Sequence, residues 1–360
     1  MLIELCNDIA KDACDGKQEA IRTLYYLVMA YRLGKHLVFL PHDAVDTIQR
    51  SELPNELRQI FVAIGKQTSS IGTFCMSVSV KIVVTKEAYT PSANQKVIVF
   101  NPFENDCSFE IYEETHLLTE NLQDAEFYKA LVSYYKRKHN LNSISECFFP
   151  LQGGGDTIKK VMEKEIELGQ HLCLAIVDSD KKYDTCKKGD TYKKLNGIIR
   201  KICPRYCSMY CIEFVREIEN LIPYYLICKC SQYKGNRLVK EDFDFDMSFY
   251  DMKDGISTKH LDDEHFVSYW RGVLAVHHNE FSKIIKKEVK GKKKKKNKKK
   301  KNDEVVLPGF GSSLLEVIMR SSNCELMRIN KDCLTVSQQK EWENIGKIVF
   351  DWCCACKIKI

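Results

Sequence analysis

The sequence contains no stretch of about 18 uncharged apolar residues, so it predicts no helix that crosses a membrane. It contains no GxxxxGK[ST] segment, so the chain has no P-loop of its own for ATP. The 17 cysteines have no secretory leader before them, and no ordered histidine accompanies the closest zinc-like spacing, at Cys203, Cys207 and Cys211. We therefore expect buried free thiols in a cytoplasmic protein, in preference to disulfides or a structural zinc.

The net charge of +6 depends on one lysine-rich segment. Nine lysines lie between Lys292 and Lys301, so the rest of the chain is mildly acidic. Bulk charge therefore indicates no nucleic-acid surface outside this segment. We expect residues 290–303 to form a disordered insertion in a surface loop, and a lysine block of this kind is also a candidate arm for phosphate contact.

The pattern of apolar residues divides the 360 residues into three regions. Residues 1–105 indicate an N-terminal α/β domain of unknown role, with strand character at 73–84 and 96–100. Residues 112–230 alternate four strands with helices, which predicts a parallel sheet flanked by helices. The strands are expected at 116–119, 147–151, 172–177 and 209–214. Residues 231–360 indicate a helical C-terminal region that caps this sheet.

Acidic residues follow three of these four strands in pairs. The pairs are Glu120 with Asp124, Asp178 with Asp180, and Glu217 with Glu219. Because the carboxyl ends of parallel strands meet at one edge of a sheet, we expect these side chains to converge there. Carboxylates held together repel one another unless a cation offsets their charge. Hard oxygen ligands suit Mg²⁺ or Mn²⁺ better than zinc.

Five of these six acids also have an ordinary structural explanation. Asp178 and Asp180 are two residues apart, so in an extended segment they would face one side and share an ion, but solvated loop acids are the alternative. Asp124 could be a helix N-cap. Glu217 and Glu219 precede an expected helix start, where the helix dipole favours acids in any case.

Glycines and lysines near the strand ends are candidates for phosphate or nucleic-acid binding. The glycines are Gly153, Gly154 and Gly155, which equally suit an ordinary turn. The lysines are Lys181 and Lys182, directly after the DSD segment.

Four segments resemble, in their order, the TOPRIM domain. They are ENLQD, LQGGGD, DSD and REIEN, and each follows one of the four strands. The likeness covers residues 112–230 and is strongest to the TOPRIM nucleases of OLD-type and PARIS-type phage-defence systems. It implies that Glu120 is a general acid or base and a metal ligand, and that Asp178 and Asp180 bind the divalent ion. ENLQD departs from the family in lacking a glycine-containing turn after the first Glu.

The resemblance implies a metal-dependent endonuclease that cleaves phosphodiester bonds in DNA or RNA, with tRNA as one candidate substrate. The chain would be the toxic effector of an anti-phage system, as a monomer or homo-oligomer, and a separate ATPase would be its sensor. Two alternatives remain open. One is a primase-like or topoisomerase-like TOPRIM enzyme, and the other is a non-catalytic regulatory or nucleic-acid-binding TOPRIM protein.

Overall fold

A computed structural model of the chain describes residues 1–91, 95–104, 109–155, 157–240, 245–277 and 304–357. The lysine-rich insertion expected at 290–303 lies outside the described residues. The chain divides into two compact units. The first consists of Met1–Val177, Thr191–Cys211 and Glu343–Ile360, and the second of Asp178–Asp190 and Ile212–Trp342.

The first unit begins with a four-stranded parallel sheet of strand order β2-β1-β3-β4. Its strands are β1 (Leu2–Leu5), β2 (Leu37–Phe39), β3 (Val80–Val84) and β4 (Lys96–Phe100). Its helices are α1 (Asn7–Cys14), α2 (Gln18–Arg32), α3 (His42–Gln49), α4 (Asn55–Gly65) and α5 (Thr68–Ser77). Every residue of β3 is buried, as expected of a strand inside a parallel sheet that is covered on both faces.

The strand character expected over residues 73–84 is wrong in its first half, because residues 73–77 continue helix α5. Ile71, Phe74 and Cys75 are each 5% exposed, and their spacings of three and one give them one face of a helix. Burial of that face outweighs the local preference for strand. The central strand β1 was not among the expected strands.

A second parallel sheet in the first unit has the strand order β7-β5-β8-β9. Its strands are β5 (Thr115–Thr119), β7 (Phe148–Gln152), β8 (Cys173–Val177) and β9 (Cys207–Cys211), and β6 (Ser145–Glu146) precedes β7. The helices between them are α6 (Leu122–Lys138), α7 (Ile158–Leu168) and α8 (Asp190–Ile202). The expected α/β fold with parallel sheets flanked by helices is therefore confirmed. The fourth strand ends at Cys211, three residues before the expected end.

In the described part of the second unit, helices accompany one antiparallel strand pair. Its helices are α9 (Tyr224–Lys229), α10 (Arg237–Lys240), α11 (Glu264–His277) and α12 (Leu314–Leu326), and α13 (Val336–Cys353) begins in this unit. Its strands are β10 (Gly255–Ser257) and β11 (Val305–Pro308). Gly255 has a φ of +76°, and a Cβ there would lie 2.2 Å from the Leu307 carbonyl oxygen, so only glycine fits. The region from residue 231 onward is therefore not purely helical.

The end of α13 belongs to the first unit and contacts both parts of it. The Ser79 backbone N–H, just before β3, donates to Asp351 Oδ2 at 2.9 Å. The Thr115 hydroxyl of β5 donates to the Trp352 carbonyl oxygen at 2.7 Å. Beyond α13, strand β12 (Cys354–Ala355) pairs with β6. These contacts explain why both sheets fall in one compact unit, and why the expected boundaries near 105 and 230 do not delimit the units.

Among the described residues, no helix combines the length and the apolar composition that crossing a bilayer requires.

Candidate metal centre

A buried serine fixes the loop that follows β8. Ser179 is fully buried, and its hydroxyl lies 2.7 Å from the Val215 carbonyl oxygen and 2.9 Å from that of Arg216. The backbone N–H groups of Ser179 and Asp180 both donate to the Arg216 carbonyl at 3.0 Å. Asp178 directly precedes Ser179, so these bonds hold it beside the segment that contains Val215 and Arg216.

The segment that contains Val215 and Arg216 continues into a 3-10 turn over Ile218–Leu221, at the place where the sequence indicates a helix start. Glu217 is its N-cap residue, and its backbone N–H donates to Asn220 Oδ1 at 2.9 Å. Glu217 Oε1 accepts a hydrogen bond of 3.0 Å from the Met252 backbone N–H. Glu219 lies within the turn. The turn therefore orients two carboxylates that an extended segment would leave unconstrained.

Asp178, Glu217 and Glu219 each place one carboxylate oxygen within 4.8 Å of the others, and we call them the acidic cluster. Asp178 Oδ1 accepts a hydrogen bond of 3.0 Å from the Ile218 backbone N–H. Glu217 is 5% and Glu219 4% exposed. Glu219 Oε2 is buried and has no hydrogen-bond partner, which is costly for a charged oxygen unless a cation reaches it. These buried acidic groups can hold a metal ion.

The side chain of Lys253 places a positive charge against the acidic cluster. Its Nζ lies 3.1 Å from Glu219 Oε1 and 3.6 Å from Glu217 Oε2. Burial lowers the pKa of Lys253, but the neighbouring Glu217 and Glu219 outweigh this effect and raise it. Burial and the adjacent Glu219 charge raise the pKa of Glu217 to about 7. The raised pKa of Glu217 shows that Lys253 does not offset the whole cost of burying these carboxylates.

The geometry of the acidic cluster suits a hard divalent ion. Mg²⁺ binds oxygen at about 2.0–2.1 Å in an octahedron, so neighbouring ligand oxygens lie about 3 Å apart. The oxygens of the acidic cluster lie within 4.8 Å of one another, so they must approach by less than about 2 Å to reach that spacing. All three donors are carboxylates, which favour Mg²⁺ or Mn²⁺ over zinc.

Asp180 does not follow the expected geometry. Its φ of +54° places it in the left-handed region, so residues 178–180 are not extended and their alternation no longer sets the direction of both side chains. Gly189 allows this turn, because a Cβ there would lie 2.1 Å from Asp180 Oδ2. The spacing argument that joined Asp178 to Asp180 is therefore wrong, and metal binding by Asp180 stays a prediction.

Glu120 and Asp124 belong to the first unit, whereas the acidic cluster belongs to the second. Glu120 directly follows β5, which is the neighbour of β8 in the sheet. Asp124 is 7% exposed and stands at the third position of α6, where its Oδ2 accepts from the Asn121 backbone N–H at 2.9 Å. Asn121, not Asp124, is the N-cap of that helix. A metal-binding role for Glu120 and Asp124 stays a prediction.

The glycine segment forms a turn bonded to β5. The backbone N–H groups of Gly153 and Gly154 donate to the carbonyl oxygens of Thr119 (2.7 Å) and Glu120 (2.9 Å). Gly153 also allows α7 to approach closely, since a Cβ there would lie 2.4 Å from Ile158 Cγ1. The structure gives these two glycines a role in the turn. Phosphate binding by Gly153, Gly154 and Gly155 stays a prediction.

The two lysines after the DSD segment have partners in the second unit. Lys181 Nζ donates to the Glu213 carbonyl oxygen at 3.1 Å, and the Lys182 carbonyl accepts from Trp270 Nε1 at 3.2 Å. Their nucleic-acid contact stays a prediction. Lys253 was missed, and nothing in the sequence around it marks it, because it reaches the acidic cluster only through tertiary folding.

Comparison with protein-family models, with curated proteins and with solved structures finds no match for this chain.

Proposed function

We propose that this chain is a Mg²⁺- or Mn²⁺-dependent nuclease of the TOPRIM type that cleaves phosphodiester bonds in DNA or RNA. The observation that carries the proposal is the acidic cluster, in which a buried Glu219 oxygen lacks a hydrogen-bond partner. The cluster joins two of the four segments that resemble TOPRIM, DSD and REIEN, through Asp178 and the two glutamates.

The chain's own residues have distinct roles in this proposal. Asp178, Glu217 and Glu219 hold the ion, which when bound stabilises charge on the phosphate and lowers the pKa of a water molecule. Lys253 adds a positive charge beside the cluster and attracts the phosphodiester. A role for Glu120 as general acid or base rests on the resemblance alone. The anti-phage role, the tRNA substrate and the separate ATPase sensor rest on the resemblance alone.

A non-catalytic TOPRIM-like protein is the second candidate. The contacts of Lys253 with Glu217 and Glu219 favour it, because a lysine beside two buried carboxylates can hold them together without a metal. In that case the acidic cluster is a structural ion network. The two candidates differ in whether Mg²⁺ binds and whether a phosphodiester bond is then broken.

The experiment incubates the purified chain with plasmid DNA or total tRNA in Mg²⁺, Mn²⁺ or a chelator, beside Glu219→Gln and Asp178→Asn variants. We expect metal-dependent cleavage by the parent and a loss of at least about 10–100-fold in each variant, because even a group that only supports a metal ligand typically costs that much when it is removed. Glu213→Gln is the matched control, because Glu213 lies on the same segment but its side chain is 56% exposed. It should cleave like the parent.

Thermal unfolding with and without Mg²⁺ separates the candidates when no cleavage is seen. A parent stabilised by Mg²⁺, with the effect lost in Glu219→Gln, but inactive on both nucleic acids, would support the non-catalytic candidate. A parent that neither cleaves nor responds to Mg²⁺ would leave the cluster as a structural ion network and end the nuclease proposal.

A further inference from the structure

A second group of metal-ligating side chains lies in the first unit, and no part of the proposed nuclease mechanism uses it. His116, Glu165 and His171 each place one ligand atom within 4.8 Å of the others, and we call them the histidine cluster. His116 Nδ1 lies 2.9 Å from Glu165 Oε2, and His171 Nδ1 lies 3.9 Å from the same oxygen. His171 Nδ1 is buried and has no hydrogen-bond partner.

The fold brings these residues together from three elements. His116 is the second residue of β5, and it lies on the same face as the buried Leu118. Glu165 continues the buried stripe of α7 formed by Ile158 and Met162. His171 follows the end of α7 and precedes β8. It is unusual for a glutamate at a core position of a helix to face a histidine at a core position of a strand.

The histidine cluster is separate from the edge where the nuclease residues are expected. His116 stands near the start of β5, and Glu120 follows its end. Four residues of extended strand separate them, which is about 13 Å at about 3.3 Å per residue. The two histidines lie at the amino ends of the strands. A ligand there would not be part of the chemistry proposed at the carboxyl ends.

The chemistry of the donors indicates a transition metal. Two imidazole nitrogens and one carboxylate form a donor set that zinc takes with three protein ligands and an open fourth position, whereas Mg²⁺ prefers oxygen alone. Zinc ligands at about 2.0–2.1 Å in a tetrahedron lie about 3.4 Å apart. The two measured separations, 2.9 Å and 3.9 Å, bracket that distance.

The exposure of the side chains allows an ion to enter. The side chain of His171 is 22% exposed, that of His116 15% and that of Glu165 11%. The two imidazole rings stack with centroids 4.1 Å apart and planes 23° apart. His171, the most exposed of the three, must rotate so that its Nδ1 lone pair converges with that of His116.

We propose that His116, Glu165 and His171 form a zinc site that ties β5, α7 and the start of β8 together. The site is independent of the proposed nuclease activity. An ion bound only by the folded chain stabilises it by mass action, so free zinc at about 100 times its Kd raises the folded-to-unfolded ratio about 100-fold.

The experiment uses the full chain, stripped with a chelator and kept reduced, and titrates it with Zn²⁺ by equilibrium dialysis and thermal unfolding. We expect one tightly bound ion and a rise in the unfolding temperature in the parent. Both should be lost in His171→Ala and in the near-isosteric Glu165→Gln. Circular dichroism without metal shows whether each variant is folded, and the Glu165 variant changes charge with almost no change in shape.

Two control variants isolate the histidine cluster. His139→Ala removes a histidine that also contacts a carboxylate, that of Glu343. Among the described residues, His139 belongs to no group of three metal ligands. Asp178→Asn removes a ligand of the acidic cluster. Both should bind zinc like the parent, so failure of the zinc proposal and failure of the nuclease proposal give different results.

The absorption spectrum of bound cobalt(II) identifies the type of ligand without any substitution. This matters because the described cysteines are all free thiols, and thiolates are alternative ligands for the ion. Ligation by histidine and carboxylate gives only weak visible bands, whereas thiolate ligation adds an intense charge-transfer band in the near ultraviolet. We expect the weak bands alone at one equivalent. A thiolate band, absence of zinc binding in the parent, or binding unchanged by the His171 and Glu165 substitutions would each overturn the proposal.

Discussion

The carboxylate of Glu217 is buried beside that of Glu219, and this burial makes the stability of the metal-free chain depend on pH. The pKa of Glu217 is raised to about 7 from the ordinary 4.5. Between these two pH values the folded chain holds a proton that the unfolded chain releases. Stability without metal therefore falls as the pH rises through this window. Above pH 7 the ionised Glu217 carries its full destabilising effect.

We expect Glu217→Gln to stabilise the metal-free chain at pH 8, by on the order of 1–3 kcal/mol, because glutamine keeps the acceptor oxygen for Met252 without the buried charge. The gain should vanish below about pH 4.5, where the glutamate is neutral in both states. The same variant should lose its thermal response to Mg²⁺. Urea denaturation at several pH values measures the first effect.

Glu213→Gln provides the comparison for this series, since the Glu213 side chain is 56% exposed. It should leave stability and the Mg²⁺ response unchanged. If Glu217→Gln instead destabilises the chain at pH 8, then the contact of Glu217 with Lys253 outweighs the repulsion, and the acidic cluster is a structural ion network.

At the scale of elements, helices α6 and α13 approach so closely that one glycine decides their contact. A Cβ at Gly346 would lie 2.6 Å from the Leu131 carbonyl oxygen and 2.8 Å from Tyr135 Cβ. The first of these atoms is backbone and cannot move without shifting the helix. We expect Gly346→Ala to destabilise the chain by about 1–3 kcal/mol in urea denaturation, despite the better helix propensity of alanine.

Gly197→Ala is the matched control for this contact. Gly197 lies in α8 of the same unit, and a Cβ there would have nothing within 4 Å. Its replacement should stabilise the chain by up to about 1 kcal/mol, through helix propensity alone. Equal effects of the two substitutions would show that the α6–α13 approach does not constrain the fold.

The elements of the second sheet could be predicted because their signals are local. The run 172–177 is apolar at every position, and β8 forms there; Phe127 and Leu131 share one face of a helix, and α6 forms there. The strand predicted over residues 73–77 is wrong, because these β-branched and aromatic residues also suit a strand. Burial against the rest of the unit selects helix for them instead. Elements whose packing contradicts their local sequence pattern cannot be predicted from one sequence.

The acidic cluster could be predicted only in part. Asp178, Glu217 and Glu219 were among the expected ligands, because each follows a strand of the sheet. Lys253 could not be expected, since loop closure over more than thirty residues brings it to the cluster. Asp180 has a positive φ and a backbone hydrogen bond to Arg216, a residue distant in sequence, and no spacing rule describes this arrangement.

At the scale of the whole molecule, His36 links several parts of the first unit and makes their stability sensitive to acid. The ring is fully buried, with Nδ1 3.0 Å from the Met1 amino group and Nε2 2.7 Å from the Glu113 carbonyl oxygen. Burial, followed by the charge of the amino group, lowers the pKa of His36 well below 6.5. The folded chain therefore excludes a proton that the unfolded chain binds in mild acid.

The direction in which stability changes with pH follows from this difference in proton binding between the folded and the unfolded chain. The contribution of His36 is fully present above pH 6.5 and is lost as the pH falls, by about 1.4 kcal/mol for each pH unit below about 6.5, until the folded ring is protonated as well. In His36→Gln, which cannot titrate, this loss is absent. We therefore expect the stability difference between the parent and His36→Gln to shrink from pH 7.5 to pH 5.5 in urea denaturation, because other acid-sensitive groups act equally on both. A constant difference between the parent and His36→Gln would show that the buried ring takes up a proton as readily in the folded chain as in the unfolded one.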